Sequence, residues 1–310
     1  MPFFSEAVQT FAPLQNWTLN GVTDLSLWFR GNPARFVDKG DNSFTVSASG
    51  HDIWDDADDF RFIWKKLTGN GSVVVQVNSL TTNANGWSKA GVMVRDSLDA
   101  GSAMAYMIQS VSNGVSFGWR QNIAGAAASV PATAGIVAPQ WVKLTRTGNA
   151  FTAQYSADGK TWTDIKDATT GAVASTTVAM GASVYVGLCV TSHNTAVPAT
   201  AEFSGATVTG SVTGAWQETW IGDDRDLTNG AAGLYVTVED SAGKSVTVTN
   251  PDPAATTVTT WTEWKIPLSS LTGVNLSKVK NLYVGVGDKK NPVADGSGRI
   301  YIDDIAVTKP

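Results

Sequence analysis

Several residue types are scarce in this chain, and each scarcity excludes a class of protein. The 310 residues include a single cysteine, Cys189, so neither an internal disulfide nor a cysteine metal cluster can form. Charged residues make up 16% and the net charge is −5, which argues against nucleic acid as a partner because phosphate binding needs a basic surface. No apolar run reaches the ~18 residues of a transmembrane helix, so we expect no membrane insertion.

Residues that favour strands are abundant by contrast. Glycine occurs 30 times, Thr, Ser, Val and Asn are frequent, and the helix formers Glu, Lys and Leu are sparse. Short β-branched and aromatic segments such as FRFIWKKL, SVVVQVNSL and KAGVMVRDS alternate with turns rich in Gly, Asn and Asp. Cys189 lies in the apolar segment VYVGLCVTS and is predicted to be an inert core thiol. The pattern indicates an all-β chain built from two-sheet sandwiches.

The strand pattern also predicts how the domains are arranged. Residues 36–212 supply enough strands for a complete sandwich, whereas the segment after residue 213 supplies about five. The segment DLSLWF near the N-terminus reads as a strand, and its partners are predicted to be YVTVE and LYVGV near the C-terminus. We therefore expect a discontinuous domain of residues 1–35 and 213–310, with the central sandwich inserted into it. A simple tandem of two domains is the alternative.

Longer motifs resemble two kinds of extracellular module. The run GHDIWDDADDFRFIWKKLTGNGSVVVQV, with WSKAGVMVRDS, GVSFGWRQ and YSADGKTWTDI, resembles concanavalin A-like, laminin-G-like modules of secreted bacterial proteins. The flanking WTLNGVTDLSLWFRGNP, LYVTVEDSAGK, WTEWKIPL and GSGRIYIDDIAV resemble a galactose-binding-type jelly roll of large planctomycete-type extracellular proteins. These resemblances imply two jelly-roll sandwiches in a fragment of a larger secreted or cell-surface protein, and glycan binding as the usual work of such modules.

Catalytic motifs are hard to find. Sandwich glycosidases need two carboxylates about 5–9 Å apart, and the Glu-x-Asp-x-x-Glu pattern of laminarinase-like sandwiches does not occur. Asp56 and Asp58 would share a strand face, but aspartates at a strand entry are more typical of turns. His51 and His193 lack a companion Ser or Cys motif and are interpreted as surface or turn residues. We therefore predict no catalytic residues.

Calcium is the one cofactor that the sequence suggests. The resemblance to jelly-roll carbohydrate modules implies an ion held between an early Glu and a late Asp, and Glu6 with Asp303 or Asp304 fits that pattern. Asp240 could add oxygen ligands. Because Asp303 and Asp304 alternate along a strand, only one of them can face a given site. Two solvated strand ends are the alternative interpretation; bound calcium would raise the melting temperature, so a chelator would lower it.

Tryptophan is the strongest compositional signal, with 12 in the chain. Indole faces stack on the C–H faces of sugar rings, so tryptophans beside polar turn residues are candidate glycan contacts. The predicted ligand-binding residues are Trp54, Trp87 (beside Asn83 and Asn85), Trp119 with Arg120, and Trp220. Large indoles also fill sandwich cores, and Trp28, Trp141, Trp162 and Trp261 are interpreted as core or strand positions.

The turn YSADGKTW resembles an Asp-box. Asp158 can bond to the turn backbone, Gly159 supplies a positive φ, and Trp162 is predicted to pack beneath. We interpret this motif as a folding device and give it no catalytic role.

The function predicted from these features is non-catalytic binding of polysaccharide or glycoconjugate outside the cell. The alternatives are a structural or adhesive spacer in a large surface protein, and a glycosidase or lyase with a site that the sequence does not reveal.

Overall fold

The computed structural model describes residues 2–82, 84–223, 226–294 and 298–310. Apart from three short 3₁₀ turns (Ala255–Thr257, Leu268–Ser270 and Leu276–Lys278), its regular structure consists of strands, which confirms the all-β prediction. In chain order the strands are β1 (Pro2–Gln15), β2 (Asp24–Arg30), β3 (Phe36–Asp38), β4 (Phe44–Gly50), β5 (Ile53–Trp54), β6 (Ala57–Asp58), β7 (Phe60–Thr81), β8 (Lys89–Arg95), β9 (Met104–Ser110), β10 (Val115–Arg120), β11 (Ala128–Ser129), β12 (Gln140–Thr147), β13 (Ala150–Ser156), β14 (Thr163–Asp164), β15 (Ser175–Thr177), β16 (Ser183–Thr191), β17 (Asn194–Ile221), β18 (Leu234–Asp240), β19 (Ser245–Thr249), β20 (Thr262–Pro267), β21 (Val279–Gly287), β22 (Val293–Ala294) and β23 (Tyr301–Thr308). No helix in this described part of the chain has the length and apolarity needed to cross a bilayer.

The chain folds as two compact units. The terminal unit comprises residues 1–34 and 228–310, and the central unit comprises residues 35–227. The predicted boundary at residue 213 falls inside β17, which stays paired with β7 as far as Ile221. The central unit therefore continues to Leu227, beyond the predicted boundary. The insertion of one module into another stays a prediction.

The terminal unit is a sandwich of two antiparallel sheets. One sheet has five strands in the order β19-β18-β21-β1-β22, and the other has three in the order β20-β2-β23. Alternation places Leu25, Leu27 and Phe29 of β2 in the core between the sheets, where they pack with Val236 and Leu282 of the larger sheet.

The predicted partners of β2 were wrong. Leu27 lies opposite Trp264 of β20, and Trp28 lies opposite Asp303 of β23. The segments YVTVE and LYVGV instead form β18 and β21, which pair with each other in the larger sheet. A residue pattern within one segment identifies a strand but does not assign its partners.

The central unit is a sandwich whose layers share two long strands. The first half of β7 pairs with β16, and its second half pairs with β12. Strand β17 follows β7 on its other side through several register shifts, between Glu202 and Gln217. Gly71 lies where the β12 pairing of β7 begins, and a β-carbon there would come 2.2 Å from the backbone oxygen of Thr209. The two layers thus enclose one apolar core.

A second apolar cluster covers the outer face of the β9-β8-β16-β7 sheet. Along β8, Ala90, Val92 and Val94 point into the main core. Met93 points to the opposite face, where it joins Phe60, Phe62, Tyr106 and Cys189, among others. The short hairpin β5–β6 contributes Ile53 to this cluster, so the hairpin lies over the sheet as a cover.

The Asp158 turn has the predicted form, with one correction. Backbone N–H groups of Thr161 and Lys160 donate to the Asp158 carboxylate, and they hold its pKa well below the usual range. Gly159 has a φ of +70°, as expected. The indole beneath it is that of Trp141, since a β-carbon on Gly159 would meet the Trp141 ring at 2.9 Å. Trp162 lies to the side, with the Lys143 ammonium 5.3 Å from its ring centroid.

The burial of Cys189 predicts an unreactive thiol. Cys189 is fully buried, and burial raises the pKa of its thiol to about 12, so the nucleophilic thiolate is scarce at pH 8. We expect Ellman's reagent to release no thionitrobenzoate from the native protein and one equivalent per chain in 6 M guanidinium, measured at 412 nm. Rapid stoichiometric reaction of the native protein would contradict this burial.

Candidate functional site

The hairpin β5–β6 is held on the sheet by a buried group of one carboxylate and two guanidinium ions. Arg120 at the end of β10 binds Asp58 in a bidentate manner, with Nη2 2.6 Å from Oδ1 and Nη1 2.8 Å from Oδ2. Arg95 at the end of β8 places Nη1 3.0 Å from Oδ2 of the same carboxylate. All three side chains are fully buried. Burial lowers the pKa of Arg95, while the Asp58 carboxylate opposes that shift. We call these residues the Asp58 latch.

Backbone carbonyls complete the latch. Arg120 donates further hydrogen bonds to the carbonyl oxygens of Trp54, at 2.8 Å, and Ser102, at 3.1 Å. Arg95 donates from Nε to the Ser97 carbonyl at 2.8 Å. The guanidinium groups of Arg95 and Arg120 therefore donate their hydrogen bonds to acceptors inside the protein. The prediction that Arg120 contacts a ligand is corrected accordingly, because a buried and fully bonded side chain cannot reach a surface glycan.

Three of the four predicted tryptophans are half-buried. Trp54 belongs to the hairpin strand β5. Trp119 packs against the main core, with its ring 5.3 Å from that of Phe117. Trp220 also packs against the main core, and the Arg61 guanidinium lies 5.4 Å from its ring centroid. The contacts of Trp119 and Trp220 favour a packing role for these two indoles.

Trp87 is different, because 38% of its surface is exposed. The Lys89 ammonium lies 5.6 Å from the Trp87 ring centroid and is itself buried against the Asp52 carboxylate. The other Asp52 oxygen lies 2.9 Å from Nδ1 of His193, and the His193 ring stacks on His51 at 6.3 Å. We call Trp87, Lys89, Asp52, His193 and His51 the Trp87 group.

Short hydrogen bonds fix the loop that carries Trp87. The Asn85 side chain accepts from the Trp87 backbone N–H at 2.8 Å. Ser88 donates to the Ser192 carbonyl at 2.5 Å, which ties this loop to the turn that carries His193. Asn83, the other predicted polar neighbour, lies outside the described residues. Side-chain hydrogen bonds from Asn85 and Ser88 therefore hold the loop that carries the exposed indole and tie it to the turn that carries His193.

The predicted calcium ligands have other partners. Both oxygens of Glu6 are engaged, one by the Tyr235 hydroxyl and the other by the Lys289 ammonium, each at 2.9 Å. The Asp240 carboxylate accepts backbone N–H groups of Asn275, Ala242 and Lys244, which hold its pKa below the usual range.

The aspartates of the final strand lie on the other sheet. Asp303 and Asp304 belong to β23, whereas Glu6 and Asp240 belong to β1 and β18. Among the residues that the structure describes, no group of three or more His, Cys, Asp or Glu side chains could hold a metal ion. The four residues do not fit a common calcium site, and calcium binding stays a prediction that these contacts do not support.

Two of the tryptophans interpreted as core or strand positions are exposed. Trp28 is 37% and Trp261 is 45% exposed, both in the terminal unit. For Trp28 the sequence held the signal, since it alternates with Leu25, Leu27 and Phe29 and so points away from the core. Trp261 precedes β20, and its exposure has no comparable signal.

Comparisons with known proteins give similarity to solved structures alone. No protein-family model and no curated protein matches the chain. A functionally unknown protein from Saccharomyces cerevisiae is 18% identical, with a TM-score of 0.43, over 59% of this chain and 95% of that one. The carbohydrate-binding module CBM66 from Bacillus subtilis is 15% identical, with a TM-score of 0.29, over the same two shares. The alginate lyase AlgAT5 of polysaccharide lyase family 7 is 9% identical, with a TM-score of 0.35, over 60% and 94%. Likenesses this distant carry no argument about function.

The Asp58 latch generates a prediction about stability. Replacing Asp58 by Ala leaves two buried guanidinium groups without their counter-charge, and we expect a loss of roughly 3–5 kcal/mol in the free energy of unfolding. The matched control Asp56→Ala removes an exposed carboxylate from the same hairpin and should change stability by less than about 0.5 kcal/mol. Urea unfolding followed by tryptophan fluorescence measures both values. Equal midpoints for the two variants would contradict the latch.

Proposed function

We propose that the central unit binds a glycan through the Trp87 group. The supporting observation is that Trp87 alone among the four predicted tryptophans is exposed, at 38%, and that Lys89 and Asp52 link it to the stacked rings of His193 and His51. An indole held open to solvent on a fixed loop offers an apolar plane for the C–H face of a sugar ring. The resemblance to secreted lectin-like modules points the same way, and a role outside the cell belongs to this proposal.

Some polar members of the Trp87 group could touch a ligand, and others only hold their neighbours in position. Asp52 and Lys89 are buried, so they position their neighbours. His193 is about one-third exposed, and with Nδ1 facing Asp52 its Nε2 is the ring nitrogen available to a ligand. His51 is exposed beside it. Sugar hydroxyls both donate and accept hydrogen bonds, so an imidazole nitrogen that faces solvent can pair with them.

Binding is preferred to the two rival functions on structural grounds. Of the two aspartates considered for catalysis, Asp56 and Asp58, the Asp58 carboxylate is fully buried and bonded to Arg95 and Arg120. A passive spacer has no need of an exposed indole anchored by side-chain hydrogen bonds. Release of reducing sugar from a polysaccharide would favour an enzyme, and failure to bind any member of a broad polysaccharide panel would favour a spacer.

Trp87→Ala tests the proposed site directly. We expect at least a tenfold loss of affinity, about 1.4 kcal/mol, for whichever soluble polysaccharide retards the parent protein in affinity gel electrophoresis. The melting temperature should stay near that of the parent because the side chain is exposed. Ile123→Ala is the control, since it removes a side chain that is 75% exposed in the same unit. Unchanged affinity in Trp87→Ala would exclude this indole from the site.

Trp119→Ala should behave in the opposite way. Its ring packs on the main core, so truncation is expected to lower the free energy of unfolding by roughly 3 kcal/mol while the remaining folded protein keeps its affinity. Denaturant unfolding and the same gel assay separate the two effects. A stable Trp119→Ala variant with no affinity would return Trp119 to the binding site.

A further inference from the structure

The outer face of the three-stranded sheet in the terminal unit concentrates exposed aromatic side chains. In the described part of the chain three tryptophans are exposed, and two of them, Trp28 and Trp261, lie at this face. The opposite face of β2 is occupied by Leu25, Leu27 and Phe29 in the core. The exposed indole of Trp28 therefore follows from the strand pattern, which places apolar side chains on both faces of β2.

Strand register groups charged side chains around Trp28. Residues directly opposite each other in neighbouring strands project from the same face. Trp28 lies opposite Glu263 of β20 on one side and Asp303 of β23 on the other. Arg30, two residues along the strand, lies opposite Tyr301. One surface thus carries an indole between two carboxylates, next to an arginine beside a tyrosine.

Contacts among these side chains hold them in place. The Arg30 guanidinium lies 4.3 Å from the Tyr301 ring centroid and 5.6 Å from that of Trp261, so it links the two aromatic rings. Ser26 donates to Glu263 Oε1 at 2.7 Å, and the Lys265 ammonium lies 3.7 Å from Glu263 Oε2. The carboxylate and the guanidinium are oriented before any ligand arrives. We call Trp28, Arg30, Trp261, Glu263, Tyr301 and Asp303 the Trp28 face.

We propose that the Trp28 face is a second glycan site and that it takes an uncharged polysaccharide. The indoles of Trp28 and Trp261 supply stacking planes for sugar rings. Glu263 and Asp303 accept hydrogen bonds from hydroxyl groups on either side, and Arg30 donates. A polyanion is disfavoured because two carboxylates flank the central indole. The inference rests on glycan binding as the proposed function of the chain, but on different residues in the other unit.

A protein partner fits this surface less well. Trp, Tyr and Arg are enriched at protein interfaces, but the centre of such an interface is depleted in charged residues. Here the charged side chains lie at the centre, on both sides of Trp28. Burying Asp303, and Glu263 with its Lys265 partner, against another protein would cost these groups their hydration, whereas sugar hydroxyls can replace that water.

The experiment uses the full chain with Trp28→Ala, Trp261→Ala and the double variant. Binding to insoluble cellulose is measured by depletion, and binding to soluble arabinoxylan and laminarin by affinity gel electrophoresis, with alginate as the charged probe. Val8→Ala is the control, since it removes a side chain 57% exposed on the other sheet of the same unit. We expect the double variant to lose at least tenfold in affinity for an uncharged polymer and to keep the melting temperature of the parent. We expect the parent not to bind alginate through this face.

Each result separates this proposal from the Trp87 site. Loss of binding in the double variant, with Trp87→Ala unaffected on the same polymer, supports the Trp28 face and counts against the Trp87 group. The reverse result overturns the second site and leaves the proposed function intact. A parent that binds alginate through Trp28 and Trp261 overturns the uncharged ligand. A concentration-dependent dimer that only the double variant abolishes, without polysaccharide binding, would replace the glycan by a second copy.

Discussion

The contact of Asp58 with Arg95 and Arg120 is the constraint on which the central unit depends. Two guanidinium groups share one carboxylate in a site closed to solvent, so the group keeps an excess positive charge. Carbonyl oxygens, including those of Trp54 and Ser102, supply the missing negative potential through their dipoles. Such a group is costly to desolvate and is therefore weak evidence for stability in itself. Its contribution is geometric, because Arg120 bonds both the Asp58 carboxylate and the Trp54 carbonyl of the hairpin.

The same hairpin connects the latch to the candidate site. Asp52 stands at its start and Asp59 at its end, and the Asp59 backbone N–H donates to the Asp52 carbonyl at 2.7 Å. Asp52 also holds Lys89 and His193, so the position of the imidazoles follows from the position of the hairpin. Within the acidic run DIWDDADDF, Asp58 fixes the hairpin to the sheet through Arg95 and Arg120. Asp52 orients the side chains of Lys89 and His193.

Alternation along single strands could be predicted, and contacts between distant segments could not. The pattern VSFGW already places Trp119 on the same face as Val115 and Phe117, and LSLWF places Trp28 opposite the core. The burial of Arg120 depends on Asp58, which is 62 residues away in the chain, and no local pattern encodes that pairing. The calcium prediction did not anticipate that Tyr235 and Lys289 would reach Glu6, for the same reason.

The two candidate sites differ in how they are built, and this difference bears on affinity. Trp87 stands on a loop that Asn85 and Ser88 must hold, whereas Trp28 stands on the middle strand of a sheet with partners on both sides. Groups carried by paired strands are positioned more rigidly than groups on loops, so less conformational entropy is lost when a ligand orders them. Arg30 adds to this rigidity by linking Tyr301 to Trp261. For equal stacking area, the sheet-borne face is therefore expected to give more affinity per aromatic ring than the loop-borne one.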